Sequence, residues 1–314
     1  MIRKPSRGSK RQRKGERDGE APIARRLIAG IRKQLQSNVF SLKGYEKARA
    51  NIESLRASLS APDGLASLDP AHALYAMVHN LVTTILEDLT ALPELESLAG
   101  VIEAAHEEYM PSGPPWSPLT NSYFSCWAYY DLAEGRSRET LGTCLLAAGR
   151  ELGMDPSLLE LIGVLQKSRM GIFRHEGVQD GRTVLREFVT GSSHRCLVPT
   201  GYAGREGEIW LARVLPPRQP RFDYSVVFTT PYLILWPGED EWRRYFDRTI
   251  GTTGDHLALH ENLMKYGFTR HYWNEYVFEA YANHTSEVIF LLGLPDVAST
   301  RPHSPEGEKK FFGV

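Results

Sequence analysis

The sequence has no apolar run long enough to cross a membrane. Runs such as Val226 to Phe228 and Val288 to Leu292 are far shorter than the roughly 20 residues that a spanning helix requires. The basic N-terminal stretch is not followed by the apolar core that directs secretion. We therefore expect a soluble, cytoplasmic protein with no membrane partner.

Cysteine and catalytic signatures are also scarce. The three cysteines, Cys126, Cys144 and Cys196, are widely spaced and odd in number, which excludes a disulfide framework and a Cys-x-x-Cys metal knuckle. The sequence contains no Gly-x-Ser-x-Gly elbow, His-Glu-x-x-His motif, kinase signature or EF-hand loop. The familiar forms of these sites are excluded, although an unfamiliar site is not.

One glycine-rich stretch, LVPTGYAGREGEIWLARVLPP at residues 197–217, resembles a nucleotide loop in outline. Gly201, Gly204 and Gly207 lie three residues apart, but Glu208 and a strand-like run follow them. A Walker loop requires Gly-Lys and then a helix, and a Rossmann turn requires Gly-x-Gly-x-x-Gly at the start of a helix. We therefore expect no nucleotide cofactor, and we predict that these glycines supply positive φ angles between two strands.

The charge is unevenly distributed along the chain. Residues 1–33 contain 12 Lys/Arg and 3 acids, a net charge of +9, which leaves 25 bases and 35 acids, a net charge of −10, for the remainder. Residues 1–20 have almost no apolar side chains, which predicts a disordered basic arm. Such an arm binds polyanions by counterion release. The alternative is a solubilising tail that folds back on the acidic body.

Apolar spacing of 3.6 residues predicts helices over residues 22 to 166. A stripe from Leu27 to Leu35 marks the first helix, and Leu55 and Leu59 belong to a second. Asp69-Pro70 and Asp155-Pro156 each combine an N-cap residue with proline at the first helical position. The proline-rich joint YMPSGPPWSPLT interrupts this helical region.

The spacing of apolar residues changes at Gly171 from the 3.6-residue period of a helix to a pattern typical of strands. The segments GIFRHEG, RTVLREFVT, HRCLVP, EIWLARVLP and YSVVFTTPYLIL are short, rich in β-branched and aromatic residues, and separated by turns. No helical spacer for a parallel crossover lies between them. Helices return over EDEWRRYFDRTI, DHLALHENLMKYG and RHYWNEYVFEAYANH, and EVIFLLGLP is predicted as a single last strand.

These patterns predict an α+β fold in which an N-terminal all-helical region precedes a small antiparallel β-sheet or partly open barrel and C-terminal helices. The expected divisions are a disordered basic arm (1–20), a helical domain (21–168), a small antiparallel β module (169–238), C-terminal helices with a last strand packed on that module (239–294) and a flexible tail (295–314). The patterns leave open whether the helical and β regions are independent domains.

Three histidines suggest a metal site. His256 and His260 are at positions i and i+4 of a predicted helix, so they project from one face, and His271 follows shortly afterwards. Histidines at this spacing bind transition metals. A divalent metal held there, with Glu261 as a further ligand or base, would indicate a hydrolytic enzyme. The alternative is a set of surface or capping histidines near Asp255.

His175 and Glu176 are the other catalytic candidates. Strand alternation places Ile172 and Arg174 on one face of the predicted strand and Phe173 and His175 on the other. A half-buried histidine beside a glutamate suits acid–base catalysis near neutral pH. A plain edge-strand histidine is the alternative.

An interaction surface is the third candidate site. Arginine and aromatic residues alternate on and around the β module, and the proposed binding residues are Arg174, Arg195, Tyr202, Arg205 and Arg213, with Trp210 and Arg218 nearby. Small barrels use such faces to stack bases and contact phosphates, whereas buried aromatic residues in a small core are the alternative. With the basic arm, this surface favours a non-enzymatic binding or adaptor protein whose partner is nucleic acid, another polyanion or a protein. The metal-dependent enzyme is the alternative function.

Overall fold

The computed structural model describes residues 21–36, 68–110 and 117–297 of the chain. Nine α-helices occur in these ranges: α1 (Pro22–Gln36), α2 (Pro70–Thr90), α3 (Glu96–Tyr109), α4 (Asn121–Cys126), α5 (Leu141–Glu151), α6 (Pro156–Lys167), α7 (Glu239–Ile250), α8 (His256–Tyr266) and α9 (Tyr272–Ala280). A 3-10 turn, Pro93–Leu95, precedes α3, and a π-helical turn, Trp127–Asp131, extends α4. None of these helices is both long and apolar enough to cross a membrane.

Two helices begin where the sequence predicts. The Asp69 carboxylate accepts a hydrogen bond from Ala71 N at 3.0 Å and so caps α2. Asp155 caps α6 in the same way, through Ser157 N at 2.9 Å and Leu158 N at 3.1 Å. Each cap satisfies backbone N–H groups that have no partner within the helix.

Four predictions lie outside the described residues. These are the basic arm (residues 1–20), the helix containing Leu55 and Leu59, residues 111–116 of the proline-rich joint, and residues 298–314 of the predicted tail (295–314).

Eight strands form one sheet within the described ranges: β1 (Met170–Gln179), β2 (Arg182–Glu187), β3 (Ser193–Leu197), β4 (Ile209–Leu215), β5 (Ser225–Val227), β6 (Tyr232–Trp236), β7 (Tyr281–His284) and β8 (Ile289–Leu292). Their order is β1-β2-β3-β5-β4-β6-β8-β7, and β1 also pairs with β4. The first five strands are thereby joined in a ring, and the other three extend the sheet from β4.

Helices and strands are mixed in the described residues, which confirms the predicted α+β class. The prediction of a small antiparallel β-sheet or partly open barrel is corrected, because the ring is a closed five-stranded barrel. Antiparallel pairing of β1 with β4, from Met170↔Arg213 to Arg174↔Ile209, closes it. The pairings β3–β5 and β6–β8 are parallel. The parallel strands β3 and β5 need no helical connection, because a loop and the antiparallel strand β4 lie between them in the chain. The parallel strands β6 and β8 are connected through α7, α8 and α9.

The barrel interior is filled by side chains. Phe173, Leu185, Cys196 and Trp210 form a buried cluster, each at most 4% exposed. His175 is 1% exposed and follows Phe173 by two residues, as strand alternation predicts. The barrel is therefore a packed core with no continuous channel.

A second, larger core joins the outer face of the barrel to the helices. It contains Leu27 of α1, Tyr75 of α2, Ile172 of β1, Leu211 of β4 and Trp242 of α7. Because this core is continuous, it fixes the orientation of the helices against the sheet.

The C-terminal helices differ from the prediction at one point. The helix predicted over RHYWNEYVFEAYANH ends at Ala280, and Tyr281–His284 form β7, which pairs antiparallel with β8. The region therefore contains two strands where a single last strand was predicted. Hydrogen bonding to β8 outweighs the helical period of this short segment.

Candidate functional site

The glycine-rich stretch forms the loop between β3 and β4. Gly201, Gly204 and Gly207 have φ angles of 86°, 68° and 91°, which confirms the prediction of positive φ. A Cβ atom on Gly204 would lie 2.5 Å from the Trp210 side chain. Gly204 therefore allows the loop to lie directly on the barrel interior.

Glu208 fixes this loop against the barrel through hydrogen bonds. Its carboxylate accepts hydrogen bonds from Tyr202 Oη at 3.2 Å and from Trp210 Nε1 at 3.2 Å. The Tyr202 ring also packs on Trp210, with centroids 5.4 Å apart. Trp210 is thus fully buried, and one face of the partly buried Tyr202 ring is occupied by it.

His175 is held by two backbone groups. Its Nδ1 accepts from Gly177 N at 3.0 Å, so Nε2 carries the hydrogen and donates to Ala203 O at 3.0 Å. The neighbouring Glu176 is paired with Arg186 at 2.5 Å. Both catalytic candidates on β1 therefore have structural partners that connect the strand to its surroundings.

Three of the four arginines proposed as binding residues are paired with carboxylates. Arg174 pairs with Glu239 at 3.3 Å, and Arg195 pairs with Asp180 and Asp223 at 3.3 and 2.6 Å. Arg213 is 1% exposed, so its assignment to an exposed face is corrected. Its position in β4 points it towards the helices, where a second core covers the strand. Arg205 alone of the four is exposed without an ion pair among the described residues.

Arg213 belongs to a buried ionic cluster. Its guanidinium donates to the Asp131 carboxylate and, through Nη1, to Ser168 O at 2.8 Å. Lys265 Nζ donates to the same two residues, to Asp131 Oδ1 at 3.0 Å and to Ser168 O at 2.8 Å. Because these residues come from β4, the π-helical turn, the end of α6 and α8, the cluster joins four parts of the fold.

Burial is the main cause of the shifted pKa values of Lys265, His79 and Cys126, in and beside this cluster. Burial lowers the pKa of Lys265, and the attraction of Asp131 opposes this effect. Burial, aided by the positive charge of Arg213, lowers the pKa of His79 to about 4. Burial also raises the pKa of the Cys126 thiol to about 12. His79 is therefore neutral and Cys126 a protonated thiol at neutral pH.

The three histidines proposed as metal ligands are not joined by a shared set of carboxylates or thiols in the described residues. His256 lines a surface cleft with Phe188 and Arg243. His260 is fully buried, lies edge-on to Phe246 and has no hydrogen-bond partner within the described residues. His271 packs against Trp127, with ring centroids 5.4 Å apart. No group of three His, Cys, Asp or Glu residues in the described part of the chain is arranged to hold a metal ion. The geometry therefore gives the metal interpretation no support.

Glu261, the predicted further metal ligand or base, lines a polar cleft of about 260 Å³ and is paired with Arg169. This cleft lies at the end of the barrel opposite the glycine-rich loop. Arg169 donates to Glu261 Oε1 and to Glu187 Oε1, both at 2.5 Å. The hydrogen bonds from Arg169 lower the pKa of Glu261, so this carboxylate is an ionised partner of arginine.

The exposed face of α1 is a basic surface that the sequence reasoning did not assign as a site. Arg25, Arg26, Arg32 and Lys33 are all exposed on this helix. Arg25 and Arg32 are seven residues apart, as are Arg26 and Lys33, so each pair lies on one side of the helix. Arg32 pairs with Glu151, whereas Arg26 and Lys33 have no ion pair within the described residues.

Three contacts hold α1 against the body. Ile23, Leu27 and Ile31 are buried on its inner face. The Glu139 carboxylate accepts from Ile23 N at 3.0 Å and Ala24 N at 2.8 Å. A Cβ atom on Gly30 would lie 2.4 Å from the Glu94 carboxylate, so glycine permits a close approach there.

The sequence did contain a signal for this surface. The net charge of +9 over residues 1–33 and the apolar stripe of the first helix overlap between residues 22 and 33. Considered together, they describe an amphipathic helix that continues the basic arm and is anchored by its apolar face.

A scan of the chain against protein-family models, a search of curated proteins and a search of solved structures found no match.

Proposed function

We propose that this chain is a binding or adaptor protein that contacts nucleic acid or another polyanion through residues 1–33. The observation that carries the proposal is the orientation of α1: its apolar face is buried and its four basic side chains are exposed. The basic sequence of the arm thus continues onto a helix that is fixed to the body. The helix provides a defined place for the contact, and the arm adds charge.

The expected interaction is electrostatic. Each base that neutralises a phosphate releases condensed counterions, so affinity falls steeply with salt and carries little sequence discrimination. On the β module, Arg205 is the member of the predicted surface that could add to this contact, since Arg174, Arg195 and Arg213 are paired with carboxylates.

The test is binding of labelled duplex DNA and single-stranded RNA to the full chain across a salt series. Replacing Arg26 and Lys33 with Gln should reduce the slope of log K against log salt by about 1 for each base that contacts a phosphate. The matched control replaces Arg221 and Arg244 with Gln. Both are exposed, and neither is part of residues 1–33.

Absence of binding to either nucleic acid at low salt would refute the nucleic-acid form of the proposal. Equal effects of the two double variants would remove α1 from the contact, because net charge alone would then explain the result.

A further inference from the structure

A groove of about 420 Å³ lies on the helical part of the molecule, between α2, α3 and the π-helical turn. Its floor is apolar and includes Leu86, Ala99, Ile102, Tyr129 and Leu141. Leu86 and Leu141 are at most 1% exposed, while Ala99, Ile102 and Tyr129 are partly exposed. The groove therefore offers an aromatic ring and aliphatic surface to an incoming side chain.

The rim of this groove is acidic. Glu87 of α2 and Glu103 and Glu107 of α3 line it, and all three are exposed. None of them has an ion pair within the described part of the chain, although most arginines there are paired with carboxylates. An apolar floor with an acidic rim suits a basic side chain, because the stem of Lys or Arg covers apolar surface while its charge meets the carboxylates.

The basic arm joins the body beside one end of this groove. Glu139, whose carboxylate caps the start of α1 through Ile23 N and Ala24 N, is two residues from Leu141 in the groove floor. Ala21 alone separates residues 1–20 from the start of α1. A segment of this length extends over as much as ~66 Å, compared with ~21 Å for the whole of α3.

We infer that residues 1–20 occupy the groove in the same chain. The arm contains eight Lys/Arg and three acids, and the groove rim contributes three carboxylates. Arg or Lys stems from the arm lie on Ala99 and Ile102, and a cationic head group packs against Tyr129. The arm then has two competing partners, the acidic groove and a polyanion.

This inference goes beyond the proposed function, because it assigns a second and internal partner to the arm. An arm docked in the groove would not bind polyanions of low affinity. Polyanions of high affinity would displace it from the groove. An arm that is bound in cis reduces the apparent affinity for the polyanion in proportion to the fraction of chains in which it is free.

The direct test is zero-length carbodiimide cross-linking of the full chain at low salt, followed by peptide mass spectrometry. The inference predicts amide links from Lys4, Lys10 or Lys14 to Glu87, Glu103 or Glu107. An equal mixture of isotope-labelled and unlabelled chains distinguishes links within one chain from links between two. Links only between copies, or arm links only to other carboxylates, would overturn the inference.

A second measurement uses duplex DNA as the probe. The variant Glu87→Gln, Glu103→Gln, Glu107→Gln should bind it about fivefold more tightly than a control with the same change in charge, Glu206→Gln, Asp247→Asn, Asp255→Asn. Equal affinities of the two variants would contradict docking in the groove. Since cross-linking needs no polyanion, failure of the inference and failure of the proposed function give different results.

Discussion

The Glu139 carboxylate accepts a hydrogen bond from the backbone N–H of Ala24 at 2.8 Å, although 115 residues separate the two in the chain. Helix α1 thus receives its N-terminal cap from the loop before α5. We predict that Glu139→Ala lowers the free energy of unfolding by about 1 to 3 kcal/mol, because two backbone N–H groups lose a charged acceptor. Urea unfolding measures the loss, and faster hydrogen exchange at Ile23 and Ala24 locates it.

The control for this prediction is Ser137→Ala. Ser137 Oγ donates to Glu139 at 3.2 Å, so its removal leaves the carboxylate free to cap α1. Protection of Ile23 and Ala24 should persist in this variant. Unchanged exchange in Glu139→Ala would contradict the capping role.

The buried cluster around Asp131 gives a second prediction. Asp131→Ala leaves the Arg213 and Lys265 charges without their shared carboxylate and should cost about 3 to 5 kcal/mol of stability. Lys265→Met should cost much less, since the Arg213–Asp131 pair survives and the surplus positive charge is removed. Denaturant unfolding of the two variants tests this order. A larger loss in Lys265→Met would show that Lys265 is the central member.

Acid sensitivity gives a third prediction. Burial lowers the pKa values of His79 and His260 to about 4, whereas an unfolded histidine titrates near ~6.5. Between these values the unfolded chain binds protons that the folded chain does not, so stability is full above pH 6.5 and falls towards pH 4. Each histidine accounts for about 3 kcal/mol of this fall.

The variant His260→Leu removes the contribution of one of these two histidines to the loss of stability at low pH. It removes no hydrogen bond, because both ring nitrogens lack a partner in the described structure, so the decrease in stability from pH 7 to pH 5 should become smaller. Leu263→Ala, a cavity in the same helix, should lower stability equally at both pH values. A pH dependence that is unchanged in His260→Leu would contradict a buried neutral histidine.

The glycine-rich loop gives a fourth prediction. Gly204→Ala combines left-handed backbone strain with a Cβ atom 2.5 Å from Trp210 and should cost about 2 to 4 kcal/mol. Gly207→Ala has a similar φ angle but open space around the new Cβ atom, so about 1 kcal/mol is expected. Thermal unfolding compares the two. Equal losses would mean that the loop does not rest closely on Trp210.

Local features of the fold could be predicted from the sequence because local chemistry determines them. The caps at Asp69 and Asp155 and the positive φ angles of the glycines depend on a few neighbouring residues. Closure of the barrel depends instead on the pairing of β1 with β4, which are far apart in the chain. No short pattern in the sequence specifies that pairing.

The same limit explains the candidate site. Strand alternation correctly placed Phe173 and His175 on one side of β1. Alternation does not show that the outer face of the barrel also packs on a core. The sequence therefore predicts that Arg213 lies on a surface, whereas the structure buries it against Asp131. The basic face of α1 could have been predicted from the sequence, because the basic charge and the helical spacing of apolar residues together indicate it.

Closure of the barrel also restricts how this protein can associate through its backbone. Among the described strands, β7 alone has a single neighbouring strand, β8, so it forms an edge of the sheet. It is four residues long, and its last two residues, Asn283 and His284, are exposed and polar. Short polar edges are poor templates for edge-to-edge aggregation. Barrel closure thus leaves β7 as an edge whose short, polar end disfavours addition of a further strand.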